Sequence, residues 1–167
     1  ADICNKYMFE GELIANNIPS YKIKISGVKG GNSGIEIERS NKSAIIKMAK
    51  IIQKLQTEDE VLVCNFSGGE SEGDIAISCE SVIKTKLKDI ENKIIDNYLK
   101  DDIKIQVSKI ENNLSFSTED SKKIINEIIT LKQGLISSNN NVITSGNIGI
   151  VETIKNKIII TGILRSL

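Results

Sequence analysis

The chain has 167 residues, and its 22 basic side chains balance 22 acidic ones, so no net field draws it to nucleic acid or anionic lipid. That length suits one domain with an appended subdomain, and a chain of this size can bury about 70% of its unfolded surface and fold without staples. It contains no histidine, which excludes a serine–histidine triad and argues against a catalytic zinc site built from these residues.

Other exclusions follow from composition. The apolar runs are too short to cross a bilayer. No basic, apolar, small-residue leader opens the segment, so no secretory signal is expected. Three cysteines, Cys4, Cys64 and Cys79, form no Cys-x-x-Cys pair. An odd, scattered set fits a reducing compartment, and a cytoplasmic protein is expected. No Asp-rich loop has calcium spacing, so no metal site is expected within the chain.

In chain order, residues 1–20 read as an irregular lead-in or linker, ending in the turn signal Asn16-Asn17-Ile18-Pro19-Ser20. A strand is expected over about 21–28, with Tyr21, Ile23 and Ile25 on one face and Lys22, Lys24 and Ser26 on the other. It runs into a glycine-dense turn, Gly27-Val28-Lys29-Gly30-Gly31-Asn32-Ser33-Gly34, which presents two short polar side chains, Asn32 and Ser33. A second short alternating piece follows, Ile35-Glu36-Ile37-Glu38.

The stripe Ile45, Met48, Ala49, Ile52 and Leu55 predicts a helix over about 43–56. Strands are expected over about 60–66 and 74–83, joined by the hairpin loop Ser67-Gly68-Gly69-Glu70-Ser71-Glu72-Gly73. Leu87, Ile90, Ile94 and Tyr98 predict a helix over about 85–100, and Ile103, Ile105 and Val107 a strand over about 102–109. A third helix is expected over about 119–132, capped by Ser117 or Thr118 and stopped by Gly134. Two strands close the segment, about 142–152 and 157–165, with Asn156 near their turn.

That order is β-α-β-β-α-β followed by α-β-β. The expected class is α+β: a ferredoxin-like two-layer sandwich over 21–116 with an extension over 117–167. The RNA-recognition fold shares this order but needs exposed aromatics on the central strands and a basic surface. The third predicted strand, Asp74-Ile75-Ala76-Ile77-Ser78-Cys79, has no aromatic, so no nucleic-acid partner is expected.

Four stretches carry a resemblance. Gly27-Val28-Lys29-Gly30-Gly31-Asn32-Ser33-Gly34-Ile35-Glu36-Ile37 is similar to the Gly-Leu-x-Gly-Gly-His-Ser-Gly-x-x-Ile signature of aminoacyl-histidine dipeptidases. Those enzymes are the peptidase D, carnosinase-like branch of the zinc aminopeptidase and aminoacylase group. Phe66-Ser67-Gly68-Gly69 resembles the family's Phe-x-Gly-Gly. Gly149-Ile150-Val151-Glu152-Thr153 resembles Gly-Leu-Val-Glu-Thr, and Ile163-Leu164-Arg165-Ser166 resembles x-x-Arg-Ser. The four occur in the family's order and span roughly 21–167.

The resemblance covers the family's lid, or satellite, domain and none of its metal-binding domain. It implies a lid over 21–167 that closes on a dipeptide of the Xaa-His type held by the parent's own catalytic domain. Two zinc or other divalent ions are expected there and no cofactor here. The family's lid histidine, which steadies the developing oxyanion, falls at Asn32, so the resemblance places that contact on Asn32. It places substrate-carboxylate binding on Arg165, with Ser33, Gly31 and Asp74 as further substrate contacts. Where the family reads Asn-Ala-Ile-Pro, this chain reads Gly73-Asp74-Ile75-Ala76. The segment alone is expected to be inactive and to pair as a homodimer. The alternative is a homodimerisation or small-molecule-binding regulatory module without catalysis. No membrane partner is expected.

Overall fold

The computed structural model describes residues 2–36, 42–98, 102–131, 133–139 and 142–166. Among them lie ten strands: β1 (Asp2–Glu10), β2 (Ile14–Ala15), β3 (Ser20–Ser26), β4 (Val61–Gly68), β5 (Cys79–Thr85), β6 (Lys104–Ile110), β7 (Leu114–Ser115), β8 (Gly134–Asn139), β9 (Val142–Ile154) and β10 (Lys157–Ser166). The helices are α1 (Ala44–Glu58), α2 (Ile90–Tyr98) and α3 (Thr118–Thr130). An eight-stranded sheet runs β1-β10-β9-β4-β5-β3-β6, with β8 paired to β9 off that path, and β2 and β7 make a separate two-stranded ribbon. Every described pairing is antiparallel.

The expected β-α-β-β-α-β unit is present as β3-α1-β4-β5-α2-β6. Its strands lie side by side as β4-β5-β3-β6, the ferredoxin-like arrangement. The extension α3-β8-β9-β10 then widens the sheet from the β4 side. The β4–β9 seam holds one ladder pair, Gly68 with Val151. The Thr153 hydroxyl carries the next step, accepting from Phe66 N–H at 2.8 Å and donating to Phe66 C=O at 2.9 Å.

Local chemistry sets the helix starts. Ser43 caps α1 by accepting from Ile46 N–H at 3.3 Å, and Ser117 caps α3 by accepting from Asp120 N–H at 3.1 Å. Glu119 and Asp120 also place negative charge at the positive end of α3. The buried stripe of α1 is wider than the spacing predicts, because Ile46 and Ile51 are covered as well as Ile45, Met48 and Ile52. The core joins α1 and α3 (Ile124, Ile128) to the sheet through Ile25, Phe66, Ile83, Ile148 and Ile160. On β3, Ile23 and Ile25 are buried while Lys24 is exposed, so the alternation holds.

Two expectations fail, and three strands, β2, β7 and β8, lie where none was expected. Residues 1–20 are not an irregular lead-in: β1 pairs with β10 from Asp2–Arg165 to Glu10–Lys157. β1 is an outer strand exposed along most of its length, and Asn5 interrupts the alternation of Ile3, Tyr7 and Phe9, so no clean period of two marks it. β2 and β7 are two residues each, too short for any period. Gly134 does not stop α3; Leu131 caps that helix, and Gly134 opens β8 at φ 75°. The other differences are of extent. β5 begins at Cys79, and α2 begins at Ile90 after Asp89 turns the chain at φ 59°. Ile35 and Glu36 belong to the turn rather than to a second alternating piece, whose remainder, 37–41, lies outside the described residues.

Candidate functional site

Two loops meet at one corner of the sheet. The first follows β3 and carries Gly31, Asn32 and Ser33; the second joins β4 to β5 over residues 69–78. They are laced by backbone. Val28 N–H donates to Ile77 C=O at 3.3 Å, Ile75 N–H to Gly31 C=O at 2.9 Å, and Ser33 N–H to Gly73 C=O at 3.0 Å. Asn32 and Asp74 face each other as an isolated antiparallel bridge. The buried Ser33 hydroxyl adds a bond to Gly73 C=O at 2.7 Å. Ser33 is therefore a structural tie, facing inward rather than toward a ligand.

The second loop is clamped onto β9. Asn147, 2% exposed, donates from Nδ2 to Asp74 C=O at 2.9 Å and to Glu72 C=O at 3.4 Å. Gly149 lies beneath the Ser71 and Glu72 carbonyls, and a Cβ there would overlap both. Gly69, at φ 79°, approaches Gly149 so closely that its own Cβ would stand inside the Gly149 carbonyl. Only bare backbone on both sides permits this crossing.

Arg165 completes the corner from β10. Its Nη1 donates to Asn32 Oδ1 at 3.0 Å, joining residues 133 positions apart. Its Nε faces Asp2 Oδ2 of β1 at 3.5 Å, and the side chain is 16% exposed. That Nε–H and Asn147 Oδ1 are buried without a hydrogen-bond partner among the described residues. Asn32 is exposed, and its Oδ1 also accepts from Gly34 N–H at 2.8 Å. A cavity of about 340 Å³ opens beside it, lined by Gly31, Asn32, Gly69, Ser71, Asp74 and Ile75 among others. A second cavity, of about 410 Å³, is mainly apolar and lies under the end of α3 between Tyr7, Leu131, Ile148 and Leu164.

Sequence reasoning thus brought Gly31, Asn32, Ser33, Asp74 and Arg165 to one place. It missed Asn147 and Asp2. Asn147 was visible as an amide inside an otherwise small and apolar run, Ser145-Gly146-Asn147-Ile148-Gly149. Asp2 fell in the stretch read as irregular. Glu70, Glu72 and Asp74 do not converge, since no group of three metal-capable side chains is found among the described residues.

Instead Glu72 Oε2 accepts from the exposed Cys4 thiol at 3.3 Å. That hydrogen bond, helped by the negative charge of Glu72, holds the Cys4 thiol above its ordinary range. Burial pushes Cys64 up to about 12, against the opposing charge of Lys84, and raises Cys79 as well. One thiol of three should therefore react with a disulfide reagent in the native chain, and all three in guanidinium. Glu72→Gln should speed the Cys4 reaction several-fold at pH 8, because it removes the negative charge that favours the protonated thiol and leaves only a neutral, weaker acceptor. An unchanged rate would show that Glu72 does not control this thiol.

No family model matches this sequence, and no curated protein matches it. Among solved structures, the aminoacylhistidine dipeptidase from Vibrio alginolyticus superposes with a TM-score of 0.84 over 99% of this chain, at 19% identity. The chain has the fold of part of that dipeptidase. It spans 38% of that enzyme's length. A putative amidohydrolase/peptidase from Burkholderia cenocepacia (TM-score 0.43, 10% identity, 65% of this chain and 29% of that one) and an amidase of the hydantoinase/carbamoylase family from Burkholderia vietnamiensis (0.45, 10%, 60% and 29%) are more distant, and no argument rests on them. The dipeptidase fold is what the four ordered sequence stretches imply, and all four stretches meet at the corner just described. None of the described helices is long and apolar enough to cross a membrane.

Proposed function

We propose that this chain is the lid domain of a metal-dependent dipeptidase that hydrolyses Xaa-His-type dipeptides. In this reading the corner built by Gly31, Asn32, Asp74 and Arg165 closes over a substrate bound to a separate catalytic domain. Asn32 donates to the carbonyl oxygen as it gains charge, and the guanidinium of Arg165 meets the substrate carboxylate. The observation that carries the reading is the convergence of Asn32, Asp74 and Arg165 on one corner. The two residues that the resemblance assigns to substrate meet directly, within a fold that superposes on a dipeptidase over 99% of the chain.

The residues described here do not fit a metal ion: the chain lacks histidine, and no described acidic or thiol groups cluster. The two divalent ions expected of the enzyme belong to the catalytic domain, and what this chain contributes is donors, shape and closure. Because β1 is integral to the sheet, the lid unit begins at least at Asp2 rather than at Tyr21.

The purified 167-residue chain should therefore release no histidine from β-alanyl-histidine with zinc or manganese present, and should keep no zinc through desalting. A full-length parent carrying histidine and carboxylate ligands should hydrolyse the same dipeptide. Turnover by the isolated chain, or an inert parent saturated with metal, would defeat the proposal.

A further inference from the structure

Asparagine can donate a hydrogen bond but brings no positive charge, and this limits how well it can steady an oxygen that becomes an anion. The corner supplies what the side chain lacks. Asn32 Oδ1 takes two donors, Gly34 N–H at 2.8 Å and Arg165 Nη1–H at 3.0 Å. Both partners can only donate, so the carboxamide cannot turn over: its oxygen must face inward and its nitrogen outward. Neither Nδ2 hydrogen has a partner among the described residues, and Asn32 is exposed beside the cavity of about 340 Å³.

The guanidinium behind it is held in place. Arg165 is 16% exposed, lies in register with Asp2 on β1, and has its Nε 3.5 Å from the Asp2 carboxylate. A charged donor on a carboxamide oxygen draws electron density toward that oxygen. The N–H groups at the other end then become stronger donors, as in any polarised hydrogen-bond chain.

We infer that Asn32 and Arg165 act as one composite cationic donor, with Arg165 as a positioning residue that fixes the Asn32 carboxamide and polarises it toward an acceptor oxygen. The acceptor class is a neutral amide or ester carbonyl that gains charge during attack. The inference deepens the lid reading and rests on its assignment of Asn32 to the substrate. Nη1 is committed to Asn32, so a substrate carboxylate is left Nη2, which lies along Gly73.

The test is ¹⁵N NMR of the Asn32 side-chain amide in the intact chain, with the exposed Asn113 as internal reference. In the wild type, the Asn32 pair should be ordered, with an order parameter above about 0.8, and its nitrogen should resonate downfield of Asn113. Arg165→Met should drop the order parameter below about 0.6 and abolish the offset. Arg165→Lys restores charge without the planar fork and should recover the offset in part. Backbone spectra show whether each variant is folded.

Equal Asn32 signatures in wild type and Arg165→Met would overturn the inference, as would identical behaviour of Arg165→Lys and Arg165→Met. These readouts need no turnover. An inert parent enzyme would end the dipeptidase reading and leave the pair standing, whereas a mobile wild-type Asn32 amide would remove the pair and leave the dipeptidase reading to its own assay.

Discussion

Gly69→Ala should lower the stability of the chain by about 3–4 kcal/mol, a drop of roughly 10 °C in melting temperature for a domain of this size. Two costs combine. A side chain at φ 79° is strained by about 1–3 kcal/mol on its own account. The new Cβ would also collide with the Gly149 carbonyl, which belongs to the backbone of a central strand and cannot swing away. The loop must lift, and Asn147 then loses its bonds to Asp74 and Glu72. Gly73→Ala is the matched control. Gly73 lies outside the positive-φ set, and its Cβ would stand 3.2 Å from the flexible end of Arg165, so it should cost less than about 1 kcal/mol. Thermal unfolding of the two variants decides the point: equal losses would mean that the crossing of Gly69 and Gly149 is not what holds the corner.

The second large effect is expected at Lys84. This side chain is completely buried, and its Nζ donates to Asn16 C=O at 2.9 Å and to Asn16 Oδ1 at 3.1 Å, pinning the segment beside β2 against β5. Asn16 in turn donates to Ser115 Oγ of β7 at 2.9 Å. Lys84→Ala removes both bonds and opens a cavity, a loss of about 3–5 kcal/mol. Lys84→Met refills most of the space and leaves the Asn16 C=O unpaired, while Asn16 Oδ1 keeps Ile18 N–H at 3.2 Å, a loss of about 1–3 kcal/mol. Denaturant titration of the pair separates packing from hydrogen bonding. A methionine variant as stable as the wild type would show that the Asn16 C=O finds another partner and that Lys84 acts through its bulk.

The core elements were legible because burial leaves a period. The Ile45–Leu55 stripe named α1, and the alternation around Ile23 and Ile25 named β3. The order of those elements was enough to give the ferredoxin-like unit, because few layered arrangements satisfy it. What stayed hidden lacks a period for physical reasons. β1 is an outer strand with little burial, so selection for apolar alternation is weak there. β8 runs through Ser137, Ser138 and Asn139, residues that favour turns, and is a strand only because β9 offers it a ladder. At the corner, glycine spacing and small polar residues pointed to Asn32 and Ser33 without fixing their roles. Ser33 turned inward, where its hydroxyl donates to the Gly73 carbonyl, and Asn147 was missed because a clamp on a passing carbonyl leaves no pattern in the chain. The Asn32–Arg165 contact spans 133 positions, and only the shape of the completed sheet brings it about.

The pairing of β1 with β10 has a topological consequence. Asp2 and Arg165 are register partners, so the start of β1 and the end of β10 lie on adjacent strands, about 5 Å apart. A host polypeptide could leave its own path, thread the whole unit and resume a single strand-width away. Such a graft asks only one surface turn of its recipient.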